Sequence, residues 1–369
     1  MRIIAKGIKK RHMGTVLAPV VSIVLLAGAT VASAAEMNHD EHNGHSGHQH
    51  ASAAQAGQHV HHSHGMGAWM VEYRFMRMEM DGLLDGTDSV STEEISGVTM
   101  PMGGGNMTKT AGKNYLMAPT EMTMDMHMLM LMYGITDKVA VMGMLNYVKN
   151  DMDMVMHMTM PSSMVVDRQS DMQTSGIGDT QIGAMYQVDN GLVGSVMLSV
   201  PTGSIDEKVT MMGNRVQAGY PMQLGSGTYD LIPSITYNKK LNGWTYGGQA
   251  EYTYRIGEND NDYTLGDRLE LSAWAKYSLD STLNLAARLD IIDWDKIDGK
   301  DDDIAVMMSP TNDPDAQGGT RLDLTLDVSK RFGAHTAGLA YGVPIRQDLN
   351  GPQMEVQSMI TLSYQYMMM

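Results

Sequence analysis

The stretch "WTYGGQAEYTYRI" (244–256) places Trp244, Tyr246, Ala250, Tyr252, Tyr254 and Ile256 on one side of an extended chain. Thr245, Gln249, Glu251, Thr253 and Arg255 fall on the other. A period of two is the mark of a strand with one apolar and one polar face. "RLDLTLDVS" (321–329) repeats it, with Leu322, Leu324, Leu326 and Val328 opposite Arg321, Asp323, Thr325, Asp327 and Ser329. "LELSAWAKYSL" (269–279) and "LNLAARLDI" (283–291) behave alike. Beyond the N-terminal leader no helical period competes.

About twelve such segments occur: 68–80, 121–133, 138–149, 174–188, 191–201, 228–240, 243–257, 267–279, 282–294, 320–332, 335–344 and 354–367. The gaps alternate. Short ones (134–137, 189–190, 241–242, 280–281, 333–334) interleave with long ones (81–120, 150–173, 202–227, 258–266, 295–319, 345–353). In an antiparallel sheet all the short connections then lie at one end, as in bacterial outer-membrane barrels with an even strand count. A soluble β-sandwich also alternates. Segments of 12–15 residues exceed the usual globular strand, and 16 Tyr against 2 Phe suit interfacial girdles. The reading is an all-β, antiparallel transmembrane barrel over 68–369.

The N-terminus fits export. Arg2, Lys6, Lys9, Lys10 and Arg11 precede the apolar "TVLAPVVSIVLLAGATVA", which ends in Ala32-Ser33-Ala34. Residues 1–34 therefore read as a signal peptide, and the mature chain is expected to start at Ala35 or Glu36. Loss of its five cations takes the formal charge from −16 to −21. That balance argues against nucleic acid, whose binding needs Lys and Arg on phosphates. With no cysteine there is neither a disulfide framework nor a thiolate metal site. No later apolar run is long enough for a spanning helix, so a membrane chain of this kind crosses as a closed barrel.

"MHMLMLMYGITDKVAVMGMLNYV" (126–148), "TSGIGDTQIGAMYQV" (174–188), "LSVPTGSID" (198–206), "YPMQLGSGTYDLIPSITY" (220–237), "RIGENDNDYTLGDR" (255–268) and "QDLNGPQMEV" (347–356) together resemble the outer-membrane family named for the MetA pathway of phenol degradation. The resemblance spans roughly 70–366. It implies a membrane β-barrel of transporter type, with aromatic-compound uptake as the suspected role, and it brings no catalytic or binding residues with it.

Two features point toward metal instead. Residues 35–67 form a low-complexity segment with nine histidines: His39, His42, His45, His48, His50, His59, His61, His62 and His64. It is expected to be disordered and periplasmic, and imidazoles gathered by a flexible chain suit Cu(II), Ni(II) or Zn(II). A solvated linker binding metal only incidentally is the plain alternative. The chain also holds 39 methionines, whose soft neutral sulfur prefers Cu(I) or Ag(I). That richness is shared in composition with copper-resistance outer-membrane proteins. Methionine is equally an adaptable apolar filler.

The methionines form rows. "EMTMDMHMLMLMY" (121–133) has one at every even position from 122 to 132. A four-residue turn, 134–137, would pair Tyr133 with Lys138. It would turn this row to lipid and bring His127, Met144 and Asp125 to the lumen. A five-residue turn reverses both faces and points Asp125 and His127 at lipid, at a cost that rises toward the midplane. The first register is expected, with His127 and Met144 as metal candidates. In "DMDMVMHMTM" (151–160), Met152, Met154, Met156, Met158 and His157 fall in a long loop. That loop is either a protruding hairpin with exposed sulfur, a soft-metal capture site, or a lid over the pore.

The acidic runs "ENDND" (258–262) and "DWDKIDGKDDD" (293–303) read as solvated loops, with divalent bridging to lipopolysaccharide as the sharper option. "GIGD" (176–179) lacks the lysine and helix of a phosphate cradle. No nucleophile and base assemble, so an enzyme is not expected. Arg321, Asp323, Asp327, Glu251, Arg255, Arg288 and Asp290 are expected in a polar lumen. The function read from these features is an outer-membrane channel for small molecules linked to copper or a similar metal. Aromatic uptake, or metal sequestration by a closed barrel, are the alternatives. No cofactor is required beyond Cu(I) or Cu(II), with Zn or Ni behind them. Expected partners are outer-membrane lipid, lipopolysaccharide, the barrel-assembly machinery and a small-molecule or metal-ion substrate.

Overall fold

A computed structural model describes residues 65–101, 107–189, 191–211 and 213–368. The signal peptide and nearly all of the histidine-rich segment lie outside the described residues. Ten strands follow in order: β1 (Trp69–Gly86), β2 (Ala118–Gly134), β3 (Val139–Thr159), β4 (Thr180–Asp189), β5 (Leu192–Val200), β6 (Tyr229–Leu241), β7 (Trp244–Ile256), β8 (Arg268–Ser278), β9 (Leu283–Trp294) and β10 (Gly319–Phe332).

The last extended run, His335–Met368, has 34 residues. Straight, at ~3.3 Å per residue, it would stand about 110 Å tall, several times the bilayer core. It folds back on itself. Residues 335–349 pair with β10, and the run from 349 to 368 pairs with β1. Gly351, at φ 108°, makes the turn, and Met367 N–H donates to the Ala334 carbonyl at 2.9 Å. The run is thus two strands, β11 (335–349) and β12 (353–368). Every neighbouring pair is antiparallel and β2 pairs with β1, so the ring closes. An antiparallel ring closes only on an even number, and twelve strands satisfy it.

The outward face is apolar. Leu129, Leu145, Ile182, Val196, Ile235, Leu285, Leu326 and Leu362 are exposed there. Aromatic rings flank that band. Trp69 packs on Tyr133 at 4.6 Å and Trp244 on Tyr277 at 4.8 Å at the short-turn end. Exposed Tyr229, Tyr252 and Tyr254 mark the other end. In water such a surface would be an aggregation site; in lipid it is the solvated face. No described helix is long and apolar enough to cross a membrane. The chain is an outer-membrane β-barrel.

Short connections, such as 242–243 and 333–334, lie at one end and the long segments at the other. The segment 150–173 is not a loop. β3 runs for 21 residues, about 70 Å at ~3.3 Å each, and its upper part, 147–159, pairs with a strand over Val165–Ile177. That strand continues into β4 after a one-residue register step at Gly178-Asp179. A similar irregularity opposite Glu79 and Met80 turns Val356 to the inner face, away from Leu362, Tyr364 and Tyr366.

The outer segments fold over the mouth and are knitted by carboxylates. Asp179 accepts from Gly203 N–H (2.9 Å), Ser226 N–H (2.8 Å) and the Ser226 hydroxyl (2.8 Å). Gly203 and Gly225 cross so closely that a Cβ on Gly203 would lie 2.7 Å from Gly225 Cα. Asp267 accepts from Arg255 N–H and the Tyr252 hydroxyl, each at 2.9 Å. The short helix Thr92–Ile95, capped by Ser91, is clasped to the tall hairpin through His157. Its Nδ1 meets Asp167 at 2.7 Å and its Nε2 meets the Thr92 hydroxyl at 3.0 Å.

Candidate functional site in the barrel lumen

Register decides what lines the lumen. β2 pairs with β3 so that Met130 faces Met144, Met132 faces Met142 and Met122 faces Met152. The turn spans five residues, since Ile135 and Thr136 N–H both reach the Val139 carbonyl (2.9 and 3.1 Å). The expected four-residue turn is therefore wrong, and both faces reverse. Met122, Met128, Met130 and Met132 are buried toward the lumen, while Leu129 and Leu131 face lipid at 40% and 45% exposure. His127 and Asp125 point outward. The neighbouring β1, invisible to an argument about one hairpin, makes this affordable. Arg77 holds Asp125 through two hydrogen bonds of 2.7 and 2.6 Å. Tyr73 hydroxyl meets His127 Nδ1 at 2.7 Å, and Phe75 packs on the ring at 5.1 Å.

His127 and Met144 thus lie on opposite sides of the wall. Met144 is buried and lines the lumen. Met152, Met154 and Met156 are buried in a methionine-rich cluster under the outer loops, with Met158 packed against it. They are not an exposed capture loop. The histidines from His39 to His64 lie outside the described residues. Among the described residues no group of three or more His, Asp or Glu is placed to hold a metal ion.

The inner face of β12, β1, β2 and β3 is a wall of sulfur. Cross-strand neighbours run Met367–Met70–Met132–Met142 near the short-turn end. Higher up come Met76–Met126 and then Met359–Met78–Met124. At the outer mouth four strands contribute Met80–Met122–Met152–Met172.

The opposite wall is charged, as the alternation of β7, β9 and β10 foretold. Arg288 reaches Asp290 at 2.6 Å, Arg321 reaches Asp323 at 2.9 Å, and Arg268 reaches Glu270 at 2.9 Å. Arg255 pairs with Asp230. Asp290 and Asp323 stand directly opposite each other, so each needs its own arginine. Asp327 and Glu251 also face inward.

Two cavities, about 510 and 530 Å³, lie between these walls. Met124, Met126, Tyr220, Arg255 and Glu270 border both. Tyr220 comes down from the loop between β5 and β6 and packs edge-on against Tyr263 at 5.0 Å. Its hydroxyl accepts from Asp301 N–H at 3.1 Å, and burial pushes its phenol pKa up. Below the cavities the inner face is filled. Buried Glu72 and Arg74 pair at 2.6 Å, Gln365 lies beside them, and Trp274 lies flat over Gly247. Tyr220 and Trp274 escaped the sequence reading. Their only signals are "GYPM" in a long loop and a tryptophan on a polar face.

An apolar outer band, a capped mouth and a two-sided lumen define a closed outer-membrane β-barrel. The family model described as "Putative MetA-pathway of phenol degradation" matches residues 103–341, and the chain belongs to that family. No curated protein matches the sequence. An outer membrane channel from Pseudomonas putida F1 is 16% identical, with a TM-score of 0.56 over 84% of this chain and 99% of that one. The Pseudomonas putida toluene transporter is 10% identical over 81% of this chain and 89% of its own, at TM-score 0.42. The β domain of a Bordetella autotransporter is 14% identical over 81% and 99%, at 0.43. The first supports the barrel fold; the other two overlap too loosely to carry an argument.

Proposed function

We propose that the barrel takes up small aromatic compounds bearing a polar group, of which phenol is the simplest. The observation that carries this reading is the two-sided cavity. A ring can lie on Met76, Met78, Met124 and Met359 while its hydroxyl meets the Arg288–Asp290 and Arg321–Asp323 pairs. Sulfur–aromatic contacts contribute ~0.3–1.5 kcal/mol each, and methionine adapts to rings of different shape. A volume near 510 Å³ suits small-molecule sites, which span ~300–1,000 Å³. The family's description, which names phenol degradation, favours the same class.

Trp294 lines this cavity and reports on it. Titration of phenol into the detergent-solubilised full chain is expected to quench tryptophan fluorescence saturably. Met78→Ala with Met359→Ala should weaken binding ~3–150-fold, by loss of two contacts of that size. Absence of saturable binding in the wild type would overturn the reading.

A further inference from the structure

The outer-mouth row Met80–Met122–Met152–Met172 lies above the aromatic cavities and is assigned no part in aromatic uptake. Its four residues sit on adjacent strands at one height, each directly opposite the next. Met122, Met152 and Met172 are buried, and Met117, Met154, Met156, Met211 and Met222 complete the same cluster. Side chains opposite one another across strands have Cβ atoms ~4.5–5.5 Å apart, and three rotatable bonds let thioethers converge.

Packing alone is a poor reason for this choice. Buried methionine loses more rotamer freedom than leucine or isoleucine, and it specifies a core less well. A second observation concerns Asn150. It is fully buried, two residues from Met152 on the same face and opposite Met124. Its Nδ2 donates to the Thr174 hydroxyl at 3.4 Å, but its Oδ1 has no hydrogen-bond partner. A buried amide oxygen on the residue across from Met124 and one rung below Met152 thus lacks a partner.

We infer that this cluster is a binding site for a soft monovalent cation, Cu(I) or Ag(I), held by the thioethers of Met122, Met152 and Met172 with Asn150 Oδ1 beside them. Neutral sulfur donors suit a single positive charge and a soft ion, and they need no deprotonation. That last property separates the site from the histidine-rich segment. At pH 5 ordinary imidazoles, with pKa ~6.5, are protonated and no longer ligate, while thioethers are unaffected.

The test uses the full chain folded in detergent, with redox-inert Ag(I) nitrate in chloride-free buffer at pH 5. The wild type is expected to retain at least one Ag(I) per chain, with sulfur neighbours in its X-ray absorption spectrum. M122L/M152L/M172L should weaken that binding by at least tenfold while keeping the heat-modifiable mobility of a folded barrel. If that variant does not fold, M152L alone should lower the sulfur coordination number. Silver with only nitrogen or oxygen neighbours, or sulfur coordination unmoved by these substitutions, overturns the inference. So does a wild type that retains no silver.

Discussion

Leu129 and Met130 are neighbours on the chain, so lysine at each tests which face meets lipid at nearly one depth. Leu129 stands five residues above Gly134, the end of β2. At ~3.4 Å per residue and a tilt of ~40°, that is about 13 Å, near the middle of a ~25 Å apolar band. Lysine in lipid at that depth costs ~2–4 kcal/mol. Met130 faces inward, borders a cavity and lies directly across from Glu72 on β1. Lysine there keeps an unbranched stem and reaches the polar lumen beside the Glu72–Arg74 pair, so its cost is on the order of 1 kcal/mol from repacking. Urea-dependent folding into phospholipid vesicles should place Leu129→Lys below Met130→Lys by ~1–3 kcal/mol, the difference between those two costs. If Met130→Lys is the more damaging, the register and the sulfur wall are both wrong.

Other expectations follow from the mouth and the lumen. Asp179→Ala strands two backbone N–H groups at a half-exposed site. It should cost ~2–3 kcal/mol, since water replaces part of what charged hydrogen bonds supply, and limited proteolysis of 202–228 should quicken. Gly247→Ala would set a Cβ 2.3–2.5 Å from three Trp274 ring atoms, so the ring must leave the wall. The cost of such overpacking is ~1–3 kcal/mol, with loss of the Trp274 near-ultraviolet dichroism. Burial raises the phenol pKa of Tyr263 and, with a hydrogen bond to Asp313, that of Tyr115. The unfolded chain releases these protons first, near pH ~10, so stability should fall as pH climbs above that value. Tyr263→Phe should flatten that fall in an alkaline unfolding series.

The barrel was legible because its two faces differ. Where Arg288, Asp290, Arg321 and Asp323 alternate with leucine, polarity alone orients the strand, and each faces inward as expected. In β2 and β3 both faces are apolar, methionine on one and leucine, valine or tyrosine on the other. Only Asp125 and His127 broke the tie, and they broke it the wrong way. Their partners, Arg77 and Tyr73, lie on β1, whose register no hairpin argument reaches. The tall hairpin was one of two readings of 150–173, but its sulfur was expected to be exposed, and that failed for a related reason. Its buried methionines are covered by Val209, Met211 and Met222 from the distant 202–228 segment, a contact no local pattern encodes.

Passage of phenol-like molecules through this lumen should be visible in whole cells. The most direct measurement is the initial rate of labelled phenol uptake, at micromolar concentration, by cells lacking the chain and by cells in which it is restored. Uptake several-fold slower without it, rescued by the wild type but not by Met78→Ala with Met359→Ala, is the predicted result. Equal rates in the two strains would contradict it.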